Sequence, residues 1–397
     1  MKILFYSWDA NCESFFIDGL KDIGYEVVMY AKKCKHYTRD MELAADMISF
    51  IHRNGVDAVA SFDYFPIISL ICDTAGIRYY SWVYDCPHFT LYAGTVNLPC
   101  NRIGVFDKEL VERLNAMGIN TIFHMPLAGN DKGFEKVINR KSTLRNANKF
   151  KCDISFVGSL YTNQYDYFDS LDVNSSVKNE SLKLVNRYLF NYSKNYYRNI
   201  ADIEEKNEEL VSCWVEAMGK DGLLLDEDYF IPVVDEVWSS VFEKKITIEE
   251  RRILLSKVAE LDNVDFRLYT NSGLDSVLTL NKVNCGTVDY HTQMPFVFNQ
   301  SKINLNITLR SIHTGIPLRV LDILSCGGFV LSNYQEELDE YFKDGEELVL
   351  FKSLDDALDK IEYYLNHDVE REKIAENGLK AVKERFTYEM GIKKLSG

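Results

Sequence analysis

The chain has no CxxC pair, and its nine cysteines form an odd, scattered set. That excludes a zinc ribbon and a secreted disulfide framework and fits free thiols in a reducing cytoplasm. No stretch approaches the ~18 consecutive apolar residues of a membrane span. The apolar run at the start, Ile3–Tyr6, is too short for a signal peptide. Basic charge is in deficit: Lys plus Arg number 45 against 60 Asp plus Glu, a net of −15. A general nucleic-acid binder needs a basic face for phosphate, so nucleic acid is not an expected partner, although a local basic pocket for a small anion remains open. No GxGxxG turn marks a dinucleotide site and no GxSxG marks a hydrolase nucleophile. The histidines show neither HxH nor HExxH spacing. No internal repeat with a period of about 20–50 residues is visible.

What is present suffices for a large core. The 397 residues are 46% hydrophobic and 13% aromatic, the composition of an ordered globular protein. Residues 1–130 alternate apolar strands with amphipathic helices. The strands fall at Ile3–Tyr6, Glu26–Tyr30, Asp57–Ser61, Arg78–Val83, Arg102–Phe106 and Asn120–His124. Strands separated by such helices predict βαβ units and a parallel sheet. Residues 131–150 are polar and basic and read as a linker. A second alternation spans 151–375, with strands at Asp153–Val157, Val264–Tyr269, Val283–Cys285, Lys302–Asn306, Phe329–Ser332 and Leu348–Phe351. It is interrupted at about 165–262 by a polar, Tyr-rich stretch of helical pattern, read as an insertion available to a partner or acceptor. The fold class is therefore α/β: two parallel-sheet domains facing a cleft, with a helical insertion in the second and a closing segment over 376–397. In open α/β sheets the ligand sits outside the carboxyl ends of the strands.

The segment from Asn304 to Ser332 is the most informative, and its pattern is strand, loop, helix, strand. Pro317 suits the first helical position and Gly327 the residue past the end. Leu318, Leu321 and Leu324 recur every three residues and face the core, leaving Arg319, Asp322 and Cys326 on another face. Gly315 lets the backbone approach a ligand closely, and the helix N-terminus is a ready anion site. Asp322, one turn in, is placed to accept hydrogen bonds from two adjacent hydroxyls. Arg310 and Arg319 suit bidentate contacts to phosphate. A plain helix-surface pair between Arg319 and Asp322 fits the same spacing.

Leu321-Asp-Ile-Leu-Ser-Cys-Gly-Gly-Phe-Val-Leu331 is similar to the donor-site helix of GT-B glycosyltransferases. More closely, Asn304–Tyr341 resembles the CgeB-like (spore-maturation-type) GT-B family. The likeness continues through Asp344–Phe351, the closing Glu376-Asn-Gly378 and Glu384-Arg-Phe386, and the N-terminal Tyr80-Ser-Trp82-Val-Tyr-Asp85-Cys-Pro87-His88. It covers most of the chain and is weakest over 165–262.

The resemblance implies two Rossmann-like domains and transfer of a sugar from a nucleotide-sugar, favoured as a UDP-sugar. The acceptor would be a cell-surface glycan or a protein, presented by the N-terminal domain of a bacterial cytoplasmic enzyme. It implies no cofactor and no metal. It also implies a final helix crossing back to the first domain. Asp322 would hold the donor ribose, and the Gly158-Ser159 turn would near the phosphates. Tyr269 and Tyr290 would lie beside the base. Arg310, His313, Thr314, Gly315, Ile316, Pro317 and Leu318 would surround the remainder of the donor.

Two features depart from the family pattern. Thr314 stands where many relatives carry a glutamate, and Tyr161–Tyr165 lacks the Arg and Lys that often follow the glycine turn. Arg310, Arg319 or His313 would then neutralise the phosphates. Asp226-Glu-Asp228 matches a metal-binding DxD in form but reads as a solvated acidic run. Asp85 and His88, after a strand end, are the expected contacts to acceptor or donor sugar, and Arg319 completes the catalytic set; Asp9 is a further candidate, and Asp85 also suits a turn-stabilising role. The rival readings are a nucleotide-sugar 2-epimerase or hydrolase on this fold, and a non-catalytic glycan-binding partner subunit.

Overall fold

The structure is a computed structural model that describes residues 1–139, 147–162, 166–192, 208–274 and 278–397. Two parallel sheets organise it. The first contains β1 (Lys2–Tyr6), β2 (Glu26–Tyr30), β3 (Ala58–Phe62), β4 (Arg78–Val83), β5 (Asn101–Val105) and β6 (Ile122–His124), in the order β2-β1-β3-β4-β5-β6. The second contains β7 (Cys152–Val157), β8 (Phe266–Tyr269), β9 (Ser301–Asn306), β10 (Val330–Asn333) and β11 (Val349–Phe351), in the order β11-β10-β9-β7-β8. The inner strand β1 is buried on both faces, which is why it reads as an apolar run: Ile3, Leu4 and Phe5 are all fully buried. The α/β class with two Rossmann-like domains holds.

Six helices matter for the site: α1 (Glu13–Asp22), α2 (Lys108–Ala116), α3 (Lys244–Ala259), α4 (Leu318–Ser325), α5 (Asp368–Arg385) and α6 (Tyr388–Ser396). α2 starts at Asp107, whose carboxylate accepts the Leu110 N–H, a standard N-cap. α6 returns to the first domain and packs on α1, β4 and β5. Close approach there requires glycine: a Cβ on Gly391 would fall 2.1 Å from the Trp82 ring. Arg102 also donates to the Leu395 carbonyl at 2.7 Å.

Between β7 and β8 the described residues form helices and turns. These helices have a core of their own, in which Phe168 lies 4.9 Å from Trp214 and Trp238 stacks on Phe242 at 4.9 Å. α3 is the last of them and runs under the β7 turn.

Three local expectations are corrected. Part of the predicted linker is a helix, Asp131–Ile138, begun by an Asn130 side chain that accepts the Gly133 N–H; residues 140–146 lie outside the described residues. The predicted strand Val283–Cys285 is instead the end of a helix, Leu278–Val283, followed by one bridge from Asn284 to Leu268. Pro317 is extended and precedes α4 rather than opening it, because the helical turn starts at Leu318.

Candidate active site

β9 ends at Asn306, and the chain then crosses the interface between the two sheets before entering α4. Asp322, one turn into α4, is 1% exposed. Its Oδ1 accepts from the Tyr290 hydroxyl at 2.9 Å and its Oδ2 from Arg319 at 3.1 Å. Burial pushes the carboxyl up to about 6, against the opposing pull of Arg319 and Tyr290. The Tyr290 hydroxyl also lies 3.3 Å from the Cys12 thiol of the first domain, so this cluster sits where the two domains meet. Tyr290 and Asp322 are thus brought together, and Arg319 joins them while resting over the Phe298 ring.

The Gly158-Ser159 turn ends β7 beside the same region. Gly158 N–H donates to the Tyr269 carbonyl, and Ser159 Oγ lies 3.2 Å from Ser272 Oγ. Tyr269 itself is buried at the end of β8. No basic residue follows the turn in sequence up to residue 162, yet a cation is present in space. Arg251, from α3, donates to the carbonyls of Ser159 and Ile307, and its guanidinium lies 5.0 Å from the Tyr161 ring centroid. Burial lowers its pKa, and the nearby charge of Arg319 acts in the same direction. Arg251 was missed because about ninety positions separate it from the turn it supports, and no local pattern connects them.

Arg310 and His313, expected near the phosphates, both have protein carboxylates as partners. Arg310 is 4% exposed, and Glu250 and the carbonyls of Tyr188 and Asn191 accept its donors. It stacks 4.2 Å over Tyr192. Its charge is spent inside the second domain. His313 lies between Glu109 of the first domain (2.6 Å) and Glu243 of the second (2.9 Å). Burial opposes its proton, but the two carboxylates outweigh that and push its pKa up to about 10.

The loop backbone is similarly engaged. The N–H groups of His313, Thr314 and Gly315 all point at Asp107 Oδ2, at 2.6, 3.0 and 3.2 Å. A Cβ on Gly315 would stand 2.8 Å from the Phe106 ring, so the glycine serves domain contact rather than ligand approach. The Thr314 hydroxyl donates to Glu337, which also accepts the Lys108 N–H and pairs with His124. Ile316 is fully buried and Leu318 half-buried beside Pro317. Of the segment Gly315–Leu318, the Gly315 N–H faces a protein carboxylate. Asp107, Glu109, Glu243 and Glu337 were not singled out in the sequence, since each meets a partner 70 or more positions away.

Asp85 and His88 are brought together at a separate cavity of about 320 Å³ beyond the end of β4. The Asp85 N–H donates to Asp63 Oδ1 at 3.2 Å, and His88 Nε2 accepts the Tyr64 N–H at 3.0 Å. Asp85 meets solvent at the mouth of the cavity but is walled by its neighbours. Burial and the Asp63 carboxylate push it up to about 6, with His88 acting the other way. β4's end is docked on the second domain: the Cys86 thiol donates to the Ser311 carbonyl at 2.8 Å, and Ser311 Oγ returns a bond to the Cys86 carbonyl. Asp9 is exposed, faces Lys33 and lies outside the cavity. Asp228 of the DxD-like run binds Arg39 and Thr38.

Comparison with known proteins agrees with this fold. A family described as Glycosyl transferase-like matches residues 250–396, which include Arg251, α4 and Asp322. A protein of Aquifex aeolicus described as uncharacterized is 31% identical over 103 residues, 25% of this chain; the match spans 26% of that relative's length. Among solved structures, a glycosyltransferase from Rickettsia africae aligns with a TM-score of 0.56 at 11% identity, over 99% of this chain and 96% of that one. HepE of Anabaena, solved with UDP-glucose, aligns at 0.56 and 8% identity over 100% and 98%. Sucrose-phosphate synthase from Thermosynechococcus elongatus aligns at 0.57 and 9% over 100% and 97%. The fold is GT-B, and the C-terminal domain is glycosyltransferase-like.

Proposed function

We propose that the protein is a glycosyltransferase of the CgeB-like type that moves a sugar from a UDP-sugar to a glycan or protein acceptor in the bacterial cytoplasm, without a metal or other cofactor. The observation that carries the reading is Asp322: a buried carboxylate at the inter-sheet cleft, held by a neutral hydroxyl and an arginine. A donor ribose would exchange its hydroxyls for that of Tyr290, and the carboxylate would lose no hydrogen bond in the exchange. HepE, with UDP-glucose bound on the same fold, supports the choice of donor.

Glycosyl transfer places negative charge on the leaving diphosphate, so fixed cations there are the main catalytic demand. Arg319 and Arg251 supply them, one from α4 and one from α3. Asp85 or His88 contacts the acceptor from the opposite domain.

The test is incubation of the full chain with a panel of UDP-sugars and saccharide or protein acceptors in EDTA, following acceptor-dependent UDP release. Release is expected, with Asp322→Ala and Arg251→Ala each slowing it by ~10²-fold, the typical cost of losing one transition-state contact. Release that depends on added metal overturns metal independence. One observation favours a non-catalytic partner as the second reading: Asp107 occupies the N–H groups of His313, Thr314 and Gly315. Under that reading UDP-sugars bind and no UDP is released.

A further inference from the structure

The inserted helical region sends one arm out of its own core and onto the first domain. Asp228 binds Arg39 and Thr38, Tyr229 forms an antiparallel bridge with Ala93, and Phe230 N–H donates to the Tyr92 carbonyl at 2.9 Å. At its root the Leu225 N–H donates to the buried Glu236 carboxylate at 2.9 Å. These connections over six residues fix the arm in place. Its inner side, Leu225 and Tyr229, forms one wall of the 320 Å³ cavity that holds Asp85 and His88.

A further part of the lining is aromatic. Trp8, Tyr37 and Phe65 form it; the Tyr37 and Phe65 rings lie 5.7 Å apart, and the Trp8 and Phe65 rings 6.4 Å apart. Asp63 and Asp85 form the polar end, with His88 Nδ1 4.0 Å from Asp63 Oδ1. Such a lining selects strongly. Ring faces accept the C–H face of a sugar, and carboxylates accept hydrogen bonds from its hydroxyl rim. Two carboxylates repel a phosphate or a carboxylate ligand. The volume is at the lower end of the ~300–1,000 Å³ usual for ligand pockets, which suits one terminal sugar.

We propose that this cavity holds the terminal, uncharged sugar of a saccharide acceptor, with the arm 225–230 as its specificity wall and Asp85 as the group that takes the acceptor proton. The proposal rests on the glycosyltransferase reading and deepens it by choosing a saccharide over a protein acceptor. In the reaction, the acceptor hydroxyl oxygen forms the new bond to the anomeric carbon. The bond from that carbon to the diphosphate oxygen breaks, and its electron pair leaves with the diphosphate. The hydroxyl proton passes to the Asp85 carboxylate. The chain leaving Asp85 is docked through Cys86 on Ser311, in the loop that leads to α4, which ties this cavity to the element that carries Asp322.

The experiment is saturation-transfer NMR on the full chain with the methyl glycosides of glucose, galactose, mannose and N-acetylglucosamine, without nucleotide. At least one glycoside is expected to bind, with at least tenfold weaker affinity in Tyr229→Ala and in the cavity-filling Leu225→Trp. Asp85→Asn is expected to keep binding within about threefold while abolishing transfer to that glycoside from the UDP-sugar that serves as donor. Melting curves on the same samples identify any variant that fails to fold, leaving the other to decide. Signals from none of the four glycosides overturn the proposal, as does binding that both wall variants leave unchanged. UDP binding on the same samples reports on the donor reading separately: it is lost in Asp322→Ala and kept in Tyr229→Ala.

Discussion

At the residue scale, two carboxyl groups, the buried Asp322 and the solvent-facing Asp85, share a pKa raised to about 6 and differ in what surrounds them. Asp322 is enclosed by Tyr290 and Arg319, whereas Asp85 faces a cavity with the Asp63 carboxylate and the His88 ring as its neighbours. A base must be ionised to take a proton. The transfer rate is therefore expected to rise with pH through about 6, and Asp63→Asn, by removing a negative charge, should move that limb to lower pH. A limb that stays in place in Asp63→Asn contradicts the assignment to Asp85. Arg310 behaves differently. Its guanidinium is paired with Glu250 inside the second domain, and Arg310→Ala leaves that carboxylate buried without its ion-pair partner. The expected result is a loss of ~3–5 kcal/mol in urea unfolding, with UDP affinity in the surviving folded fraction unchanged. From the residues alone Arg310 and Arg319 looked equivalent; only the position of Glu250, sixty residues away, separates a structural arginine from an available one.

At the scale of elements, the loop into α4 and the start of α2 act as one joint. Asp107 caps α2 with one carboxylate oxygen and gathers three loop N–H groups with the other. His313 bridges two carboxylates beside it. The folded chain keeps the His313 proton to about pH 10, whereas an unfolded histidine releases it near ~6.5. Its stabilising contribution is therefore complete below ~6.5 and is lost as pH rises from there to about 10. The gap in melting temperature between the protein and His313→Gln should narrow across that window. A constant gap contradicts the bridge. The strand and helix pattern of this joint was legible: the alternating Ile303 and Leu305 of β9, the leucines at three-residue spacing and Gly327 marked strand, helix and stop. Its partners were not, because a cap such as Asp107 reads the same whether its second oxygen faces water or another domain.

For the whole molecule, parallel α/β architecture followed from apolar strands alternating with amphipathic helices, and the GT-B likeness from the residues around Asp322. The path of the inserted region was hidden, since polar, Tyr-rich helices carry no signal for which domain they touch. Its arm on the first domain and its Arg251 beneath the β7 turn are both long-range placements. The return of α6 is a further tie between domains. Gly391→Ala would drive a methyl group into Trp82, and a lower melting temperature is expected without loss of Asp322-dependent nucleotide binding.

The central claim is that Asp322 marks the donor site, and calorimetric titration of UDP into the protein and into Asp322→Ala tests it most directly. The account predicts saturable one-site binding in EDTA, weakened at least tenfold in the variant while its melting temperature shows it folded. Equal binding in both proteins, or no binding of UDP to the parent protein, would contradict it.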